Sequence, residues 1–396
     1  MVKTLFLTQD FPPYPGGIAR LYGEVCRRLP RGGVEVCTVA IRDGLSPGDV
    51  PPGVPVTRMP FTLRQARLFT HLLAWTRWTF RRLAAGDVAL IQAGNIRPTG
   101  YIAWWARARR GTPYVIWVHG KDLMKEARKT ARRPLARWTA RRIFGGAGAV
   151  IANSEATARR ARALLASLGL PTDGRVRVVH PGTDPVRFRP GAGGAALRQR
   201  LALGDAPVLL SVCRLMPRKG IDTVLRALPE VRRARPDLVY LVAGHGPDRA
   251  RLEGLASERG LGDAVRFLGA VPEDQLPALY DAADLFVLPV RTEEGDDEVE
   301  GFGIVFAEAA AAGTPSVAGR AGGAPEAVRD GETGVLVAPD DPAALADALR
   351  RLLEDPAERR RLSEGGRRAA ESYYTWERTA AEAWRICGDV AAGGAR

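Results

Sequence analysis

Two glutamates stand eight positions apart in the stretch EVEGFGIVFAE, which spans residues 298–308. Glu300 precedes a Gly-Phe-Gly turn, and Glu308 interrupts an apolar run that is typical of a buried helix beginning near Gly303. A carboxylate on an apolar face is costly unless it is hydrogen-bonded. Glu308 is therefore expected to have a protein partner or a ligand.

A proline-stiffened loop, QDFPPYPGGIAR, follows the first predicted strand and ends in Gly16 and Gly17. A helix is expected to begin near Ile18, and the free backbone amides at a helix start suit a phosphate. The loop lacks the G-x-G-x-x-G pattern of dinucleotide-binding proteins. A plain strand-to-helix turn remains the alternative.

A histidine stands at the end of another predicted strand, in the stretch WVHGKDL, where His119 is followed by Gly120. Isolated histidines are usually structural. One at the carboxyl end of a parallel strand is also well placed to act on a ligand. Both interpretations of His119 stay open on this pattern.

Two cations follow the strand PVLLSV, in the stretch SVCRLMPRKG. Arg214 and Lys219 could clamp a diphosphate, the first as a planar fork and the second as a point charge, although surface salt bridges would leave the same pattern. On the next strand end, Gly244 and Gly246 would let the backbone approach a flat ring or a phosphate. Beyond them, Leu268 would offer backbone edges to a base.

The acidic run RTEEGDDEVE raises the question of a metal site, because Asp296, Asp297 and Glu298 could bind Mg²⁺. Such a run more commonly forms a solvated loop. The cations at Arg214 and Lys219 could neutralise a leaving diphosphate by themselves. No metal and no cofactor are therefore expected.

Short apolar runs alternate with helical patterns along the whole chain, which predicts parallel sheets covered by helices on both faces. The proline- and glycine-rich segment HPGTDPVRFRPGAGGAALRQR separates two such series. We predict two doubly wound Rossmann-like domains that face each other across a cleft, with a C-terminal helix returning to the first. The expected boundaries are 1–186 for the first domain, 187–206 for a linker, 207–371 for the second domain and 372–396 for the helix.

With 396 residues, 46 % hydrophobic and 26 % charged, the chain has the composition of a soluble globular protein. No apolar run approaches the roughly 18 residues of a membrane span, and the sequence starts on a strand without a signal peptide, so a cytoplasmic location is expected. The cysteines are scattered and expected to be buried, reduced thiols: Cys26, Cys37, Cys213 and Cys387.

The net charge of +14 is unevenly distributed. Residues 1–200 contain 34 Lys and Arg against 11 Asp and Glu, a charge of +23, while the remainder contains 24 against 33, a charge of −9. Such a positive half attracts nucleic acid, anionic lipid or an anionic substrate. Nucleic acid is not expected, because no recognisable binding module accompanies the charge.

Residues 62–83 combine apolar side chains at helical spacing with basic ones. The apolar positions are Leu68, Phe69, Leu72, Leu73, Trp75 and Phe80, and the basic positions are Arg64, Arg67, Arg77, Arg81 and Arg82. A second basic run, KEARKTARRPLARWTARR, follows His119. An amphipathic basic helix predicts peripheral contact with an anionic membrane. The alternative is a core-packing helix with a solvated arginine face.

These stretches, in this order, resemble the retaining glycosyltransferases of family GT-4. The resemblance covers nearly the full length and is carried by PPYPGGIAR, HGKDL, HPGTDPVRFRP, CRLMPRKGID, AGHGP, VRFLGAV, EVEGFGIVFAEAAAAGTPSVA and GGAPEAV. The spacing of Glu300 and Glu308 matches the E-x7-E motif of that family. The resemblance implies a GT-B fold and a nucleotide-sugar donor.

The resemblance also implies roles for the site residues. Glu300 would accept hydrogen bonds from the donor sugar and Glu308 from the ribose diol, since a carboxylate accepts two such bonds well. Arg214 and Lys219 would hold the diphosphate, Gly16 and Gly17 would form a phosphate loop, and His119 would lie near the sugar. The helix start would lend its backbone through Gly301, Phe302, Gly303, Ile304 and Val305. Family members are thought to use front-face attack, in which the leaving phosphate takes the acceptor proton.

Within the family, PRKGID and the acidic insert are most similar to the α-mannosyltransferases that act on phosphatidylinositol lipids with GDP-mannose. UDP-glucose or UDP-N-acetylglucosamine with a soluble or polysaccharide acceptor is the enzymatic alternative. A non-catalytic protein that binds sugar nucleotides is an alternative of another class. A dehydrogenase is excluded by the missing dinucleotide pattern.

Overall fold

The computed structural model describes residues 2–41, 52–61, 68–292 and 299–393. It consists of two compact units, the first formed by residues 1–181 and 376–396 and the second by residues 182–375. Among the described residues, no helix combines the length and the apolar character that crossing a membrane requires.

The first unit contains a parallel sheet of seven strands in the order β3-β2-β1-β4-β5-β6-β7. The strands are β1 (Thr4–Leu7), β2 (Val34–Thr38), β3 (Val56–Arg58), β4 (Leu90–Ala93), β5 (Tyr114–Val118), β6 (Ala149–Ala152) and β7 (Val176–Val178). The helices are α1 (Gly17–Arg28), α2 (Leu68–Leu83), α3 (Thr99–Arg110), α4 (Lys121–Arg132), α5 (Pro134–Gly146) and α6 (Glu155–Ser167). The inner strands are buried on both faces, which explains their continuous apolar sequences.

The second unit contains a parallel sheet of six strands in the order β10-β9-β8-β11-β12-β13. These strands are β8 (Val208–Val212), β9 (Val239–Ala243), β10 (Val265–Gly269), β11 (Leu285–Leu288), β12 (Ser316–Gly319) and β13 (Gly334–Val337). Its helices are α7 (Gly194–Arg200), α8 (Ile221–Ala234), α9 (Arg249–Glu258), α10 (Leu276–Ala282), α11 (Ile304–Ala311), α12 (Ala324–Ala327), α13 (Pro342–Glu354) and α14 (Pro356–Ser372).

The last helix, α15 (Trp376–Gly393), belongs to the first unit, where it packs against α1. The fit is close, because a Cβ on Gly148 would lie 2.4 Å from the Val390 side chain and one on Gly33 would lie 2.9 Å from Trp384. The predicted α/β class, with two doubly wound units and a C-terminal helix that returns to the first, is confirmed.

The segment 187–206, predicted to be a linker, is part of the second unit. Phe188 and Leu197 are buried in the core of that unit. The Asp281 carboxylate accepts hydrogen bonds from the backbone amides of Gly191 at 2.8 Å and Gly194 at 2.6 Å. The glycines that suggested a flexible linker instead bring the backbone against α10.

In both sheets the strand order reverses once, and ligands of open parallel sheets bind beside that reversal. The reversal lies between β1 and β4 in the first unit and between β8 and β11 in the second. The loops after β1, β4, β8 and β11 therefore contain the positions where functional residues are expected.

Candidate functional site

Lys219 and Glu300 form a buried ion pair at the strand reversal of the second unit. Lys219 ends a short 3₁₀ turn, Pro217–Lys219, in the loop after β8, and Glu300 lies between β11 and α11. The Lys219 Nζ donates a hydrogen bond to Glu300 Oε2, and Arg218 Nη1 lies 3.5 Å from the same oxygen. The two cations and the carboxylate lie on separate loops that the sheet brings together.

The charge state of Glu300 follows from its burial and from the two cations beside it. Burial by itself would raise the pKa of the carboxyl, but Lys219 and Arg218 outweigh burial and hold the pKa below its ordinary value. The group is therefore an anion over the physiological pH range. It can accept hydrogen bonds and cannot donate one.

Arg214 lies on the same loop and is exposed. In the described part of the chain, no acidic side chain forms an ion pair with it. The two cations predicted to act as a pair thus differ, since Lys219 is paired with Glu300 and Arg214 is open to solvent. Sequence reasoning passed over Arg218, although it stands directly before Lys219.

Gly244 and Gly246 have a packing role within the protein, and their predicted approach to a ring or a phosphate stays a prediction. A Cβ on Gly244 would lie 1.8 Å from the carbonyl oxygen of Cys213, and one on Gly246 would lie 2.1 Å from that of Leu215. The Leu215 amide also donates to the His245 carbonyl at 3.0 Å. The space that these glycines leave is filled by the backbone on either side of Arg214, so they hold that loop in place.

Leu268 lies in β10, an edge strand of the second sheet. The register with β9 passes from Phe267 to Gly269, which leaves Leu268 outside the paired positions. The backbone of Leu268 therefore lies outside the regular pairing with β9 that its two neighbours form. A contact from Leu268 to a nucleotide base stays a prediction.

The turn around Glu300 is fixed by a second pair of glycines that sequence reasoning did not single out. The Gly323 amide donates to the Glu300 carbonyl at 2.9 Å. A Cβ on Gly322 would lie 2.4 Å from that same oxygen, and one on Gly323 would lie 2.2 Å from the Gly301 carbonyl. The stretch GRAGGAP therefore sets the backbone position of Glu300, and its adjacent glycines were the available signal.

α11 begins one residue after Gly303, as predicted, with Ile304 and Val305 half-buried in its first turn and Phe302 buried just before it. Gly303 has a φ of +94°, which favours glycine, and no side chain caps the helix start. Gly301 completes this turn. Contacts from the turn to a diphosphate stay a prediction.

Glu308 lies inside α11 with only 1 % of its surface exposed. Tyr280 of α10, which is itself buried, donates its hydroxyl to Glu308 Oε2 at 2.7 Å. The carboxylate on the apolar face thus has the protein partner that its position requires. The predicted contact to a ribose diol would use the remaining acceptor capacity of this carboxylate.

In the first unit, Gly16 and Gly17 are exposed, and α1 begins at Gly17 without a side-chain cap. A Cβ on Gly16 would have no atom within 4 Å. The first-turn amides of this 12-residue helix are therefore open to an anion. This geometry is compatible with the predicted phosphate loop.

His119 directly follows β5 and is buried, with 8 % of its surface exposed. Its Nε2 lies 2.6 Å from the hydroxyl of Tyr22, and its backbone amide donates to Asp122 Oδ1 at 3.0 Å. Burial lowers the pKa of the imidazole to about 3. The ring is therefore neutral at physiological pH.

The predicted basic patch is only partly described by the structure. Arg64 and Arg67 lie outside the described residues, as do Asp296, Asp297 and Glu298 of the acidic run. Arg77 and Arg81 are exposed on α2.

Within the described ranges, no three His, Cys, Asp or Glu side chains come together as metal ligands.

Arg82 departs from the prediction, since its guanidinium is bound on two sides. It lies 2.7 Å from Glu35 and 2.6 Å from Asp87. These carboxylates neutralise the charge that the patch was expected to use. Arg82 therefore anchors α2 to the unit and does not belong to an open basic surface.

α2 packs on one face and exposes the other. Trp75 is fully buried, whereas Phe69 is 76 % and Leu73 is 38 % exposed. Together with Arg77 and Arg81 they form a line of exposed side chains at four-residue spacing, the α2 strip. α2 thus contributes one face to the core and exposes apolar and basic side chains on the other. Contact of the exposed face with an anionic membrane stays a prediction.

Two family descriptions match successive parts of the chain. "Glycosyltransferase Family 4" matches residues 15–187, and "Glycosyl transferases group 1" matches residues 195–369. The first region includes Gly16 and His119. The second includes Lys219, Glu300 and Glu308.

Two full-length relatives are similar to the chain. A GDP-mannose-dependent alpha-(1-6)-phosphatidylinositol monomannoside mannosyltransferase of Mycobacterium tuberculosis is 34 % identical over 389 residues, covering 96 % of this chain and 97 % of the relative. A D-inositol 3-phosphate glycosyltransferase of Thermomonospora curvata is 37 % identical over 406 residues, covering 96 % and 91 %.

Among solved structures, the sucrose-phosphate synthase of Thermosynechococcus elongatus superimposes with a TM-score of 0.78 at 26 % identity. The superposition covers 99 % of this chain and all of that chain. The likeness extends over both units. It confirms the GT-B fold that the sequence resemblance implied.

Proposed function

This chain belongs to glycosyltransferase family 4, and on that premise we propose that it transfers mannose from GDP-mannose, with retention of configuration, to a lipid acceptor of the phosphatidylinositol type. The observation that carries the proposal is the buried Lys219–Glu300 pair beside Arg218 at the strand reversal of the second unit. The mycobacterial relative is named for GDP-mannose and a phosphatidylinositol mannoside, which supports the donor and the acceptor class.

The second unit supplies the groups that a nucleotide-sugar donor needs. Lys219 and Arg214 would offset the charge that develops on the diphosphate as the sugar leaves, and fixed cations do so without reorganisation. Glu300, held as an anion, would accept hydrogen bonds from sugar hydroxyls. The uncapped start of α11 would add backbone amides.

The proposed reaction uses no protein nucleophile. The acceptor hydroxyl attacks the anomeric carbon on the face from which the diphosphate departs, and the departing oxygen takes the acceptor proton. The bond from the anomeric carbon to the phosphate oxygen breaks as the new glycosidic bond forms. We propose that no metal is required, so turnover is expected to persist in excess EDTA.

A lipid acceptor requires that the first unit approach a membrane surface. The α2 strip, with Phe69 and Leu73 beside Arg77 and Arg81, suits an anionic leaflet. Leu135 and Trp138 of α5 are 73 % and 49 % exposed, and Arg142 lies over the Trp138 ring. We propose peripheral contact with the cytosolic face of the membrane through this helical surface.

A second candidate is favoured by the relative from Thermomonospora curvata, a D-inositol 3-phosphate glycosyltransferase. Both relatives act on molecules that contain an inositol phosphate. The alternative is therefore transfer from a UDP-sugar to a soluble inositol phosphate. The two candidates differ in donor base and in whether the acceptor carries acyl chains.

The decisive experiment measures binding and then turnover. Thermal shift with GDP-mannose, UDP-glucose and UDP-N-acetylglucosamine identifies the donor. Turnover is then measured with phosphatidylinositol mannoside in vesicles and with free inositol 3-phosphate. Transfer from GDP-mannose to the lipid supports the proposal, and transfer only to the soluble acceptor supports the alternative. Binding without any transfer would indicate a non-catalytic protein.

Calorimetry is expected to distinguish the roles of the two glutamates. Glu300→Gln should retain GDP binding and weaken the added binding of the sugar by about 1.5 to 3 kcal/mol, the contribution of hydrogen bonds to a charged group. Glu308→Gln should weaken GDP itself. Tyr280→Phe is the control for Glu308, since it removes the hydroxyl that donates to Glu308 and leaves the carboxylate in place. The opposite pattern would exchange the two roles.

A further inference from the structure

A single phenol joins the ends of two neighbouring strands in the first unit. Tyr22 of α1 is fully buried, and its hydroxyl lies 2.6 Å from the carbonyl oxygen of Gly94, directly after β4. The same hydroxyl lies 2.6 Å from Nε2 of His119, directly after β5. The three groups lie beside the reversal of strand order.

The positions of the hydrogens in this arrangement follow from valence. A carbonyl oxygen can only accept, and a phenol has one hydrogen, so at 2.6 Å that hydrogen is donated to Gly94. The phenol oxygen can then only accept from His119. Nε2 must therefore carry a hydrogen.

The protonation state completes the assignment. Burial lowers the pKa of His119 to about 3 and raises the pKa of Tyr22 well above its ordinary value. Both groups are neutral at physiological pH. A neutral imidazole with its hydrogen on Nε2 has a bare lone pair on Nδ1. That Nδ1 is buried and has no hydrogen-bond partner among the described residues.

We propose that Tyr22 is a positioning residue, which holds His119 as the Nε2–H tautomer so that Nδ1 can accept a hydrogen bond from a hydroxyl of the bound sugar. The role toward the sugar rests on the proposed function. The tautomer itself does not, because it follows from the two contacts of Tyr22 together with the neutral charge of the imidazole. In this arrangement His119 selects for a hydroxyl donor and cannot donate to a carbonyl or phosphate oxygen.

The tautomer is measured directly by NMR with ¹⁵N-labelled histidine. The chain has only four histidines, and the spectrum of His119→Gln identifies the signals of His119. We expect a protonated Nε2 and an unprotonated Nδ1 at pH 7 in the wild type, and a mixture of tautomers in Tyr22→Phe. A hydrogen on Nδ1 in the wild type would overturn the assignment, whatever the enzyme transfers.

The role toward the sugar is tested by turnover with the donor that the binding screen identifies. Tyr22→Phe should lower kcat/KM at least tenfold. Tyr114→Phe is a matched control, because it also removes a buried hydroxyl that donates to a backbone carbonyl, that of Ile143 at 2.5 Å, without contacting His119. Equal losses in the two variants would show a merely structural role.

Two substitutions of His119 add an independent readout. The Asn side chain places an amide close to the Nδ1 position, and the Gln side chain places it close to Nε2. His119→Asn should therefore retain at least threefold more kcat/KM than His119→Gln. The reverse order would show that Nε2 faces the substrate and would overturn the proposal.

Discussion

Lys219 illustrates how one side chain can combine binding and stability. Its ammonium pairs with the Glu300 carboxylate, so removing it leaves this largely buried anion with the longer contact to Arg218. On the proposed function, the same change also removes a cation from the diphosphate. Arg214, in contrast, is exposed. Substitution of the two cations should therefore have similar effects on turnover and different effects on stability.

We predict that Lys219→Ala and Arg214→Ala each slow turnover by about 10²-fold, the typical loss of one fixed donor at developing charge. Only Lys219→Ala should also lower the melting temperature, and adding Glu300→Gln should restore part of that loss. Arg235→Ala, which removes a surface partner of Asp237, is the control. Near-normal turnover in either variant would remove that residue from the diphosphate site.

His119 should make the stability of the protein depend on pH. Its folded pKa of about 3 lies below the ordinary value of about 6.5, so only the unfolded chain takes up a proton as the pH falls through 6.5. The wild type should therefore lose stability relative to His119→Gln by on the order of 1 kcal/mol per pH unit below 6.5. Melting temperatures of both proteins at pH 7.5 and 5.5 check this.

Asp122 acts in the opposite direction over part of the same range. Burial raises its pKa to about 6, so the folded state binds a proton between roughly pH 4 and 6 and gains stability as the pH falls. This contribution is present in both proteins and cancels in their difference. If the melting temperatures of the wild type and His119→Gln differed by the same amount at pH 7.5 and at pH 5.5, the lowered pKa of His119 would be contradicted.

The sequence predicted the types of several site residues but not their partners. Lys219 and Glu300 were both singled out, yet their contact joins positions 81 residues apart. Tyr22 and His119 are 97 residues apart, and nothing local to α1 marks Tyr22 as more than a core residue. Local spacing identifies groups on one loop, whereas the sheet decides which loops meet.

At the scale of elements, the loop after β8 is shaped by glycines of the loop after β9. We predict that Gly246→Ala lowers stability and weakens nucleotide binding at least tenfold, because its Cβ would overlap the Leu215 carbonyl. Gly254→Ala in α9 is the matched control, with no atom near its Cβ, and should be stabilising by up to about 1 kcal/mol. If Gly246→Ala bound the nucleotide with normal affinity, the loop after β8 would not take part in nucleotide binding.

Most strands are marked in the sequence by a continuous apolar run, and the exceptions have physical reasons. The three-residue strands β3 and β7 lie at the edges of the first sheet, where burial does not impose an apolar run. β12 consists of Ser, Val, Ala and Gly, of which only Val favours strands, and it is formed by its place between β11 and β13. In both cases the sheet overrides local preference.

At the scale of the whole molecule, the charge is divided between the units. From the sequence, the first unit holds 33 basic and 13 acidic residues, or +20, and the second holds 25 and 31, or −6. We therefore expect an anionic surface to attract the first unit rather than the second. A positive patch attracts anions best where its cations have no carboxylate partners, and among the residues that the structure describes this holds for Arg77 and Arg81 of the α2 strip.

We predict that the protein sediments with vesicles containing anionic phospholipid at low salt and is released at high salt, since screening weakens such contacts. The double variant Arg77→Glu with Arg81→Glu should reduce vesicle binding at low salt at least tenfold. Phe69→Ser should reduce the fraction of vesicle binding that remains at high salt. Arg368→Glu, an exposed position of the second unit, is the control. No binding to anionic vesicles at low salt would refute membrane contact and favour a soluble acceptor.

The return of α15 to the first unit has a consequence for the order in which the chain becomes structured. Residues 182–375 form an insertion whose two ends lie side by side, since the Thr183 amide donates to the Tyr374 carbonyl at 2.8 Å. During synthesis this insertion is complete before the ribosome has released α15, which covers Gly148 and Gly33 of the first unit. The second unit should therefore become structured first, and the α1 face of the first unit should stay uncovered until the eighteen residues of α15 have been released.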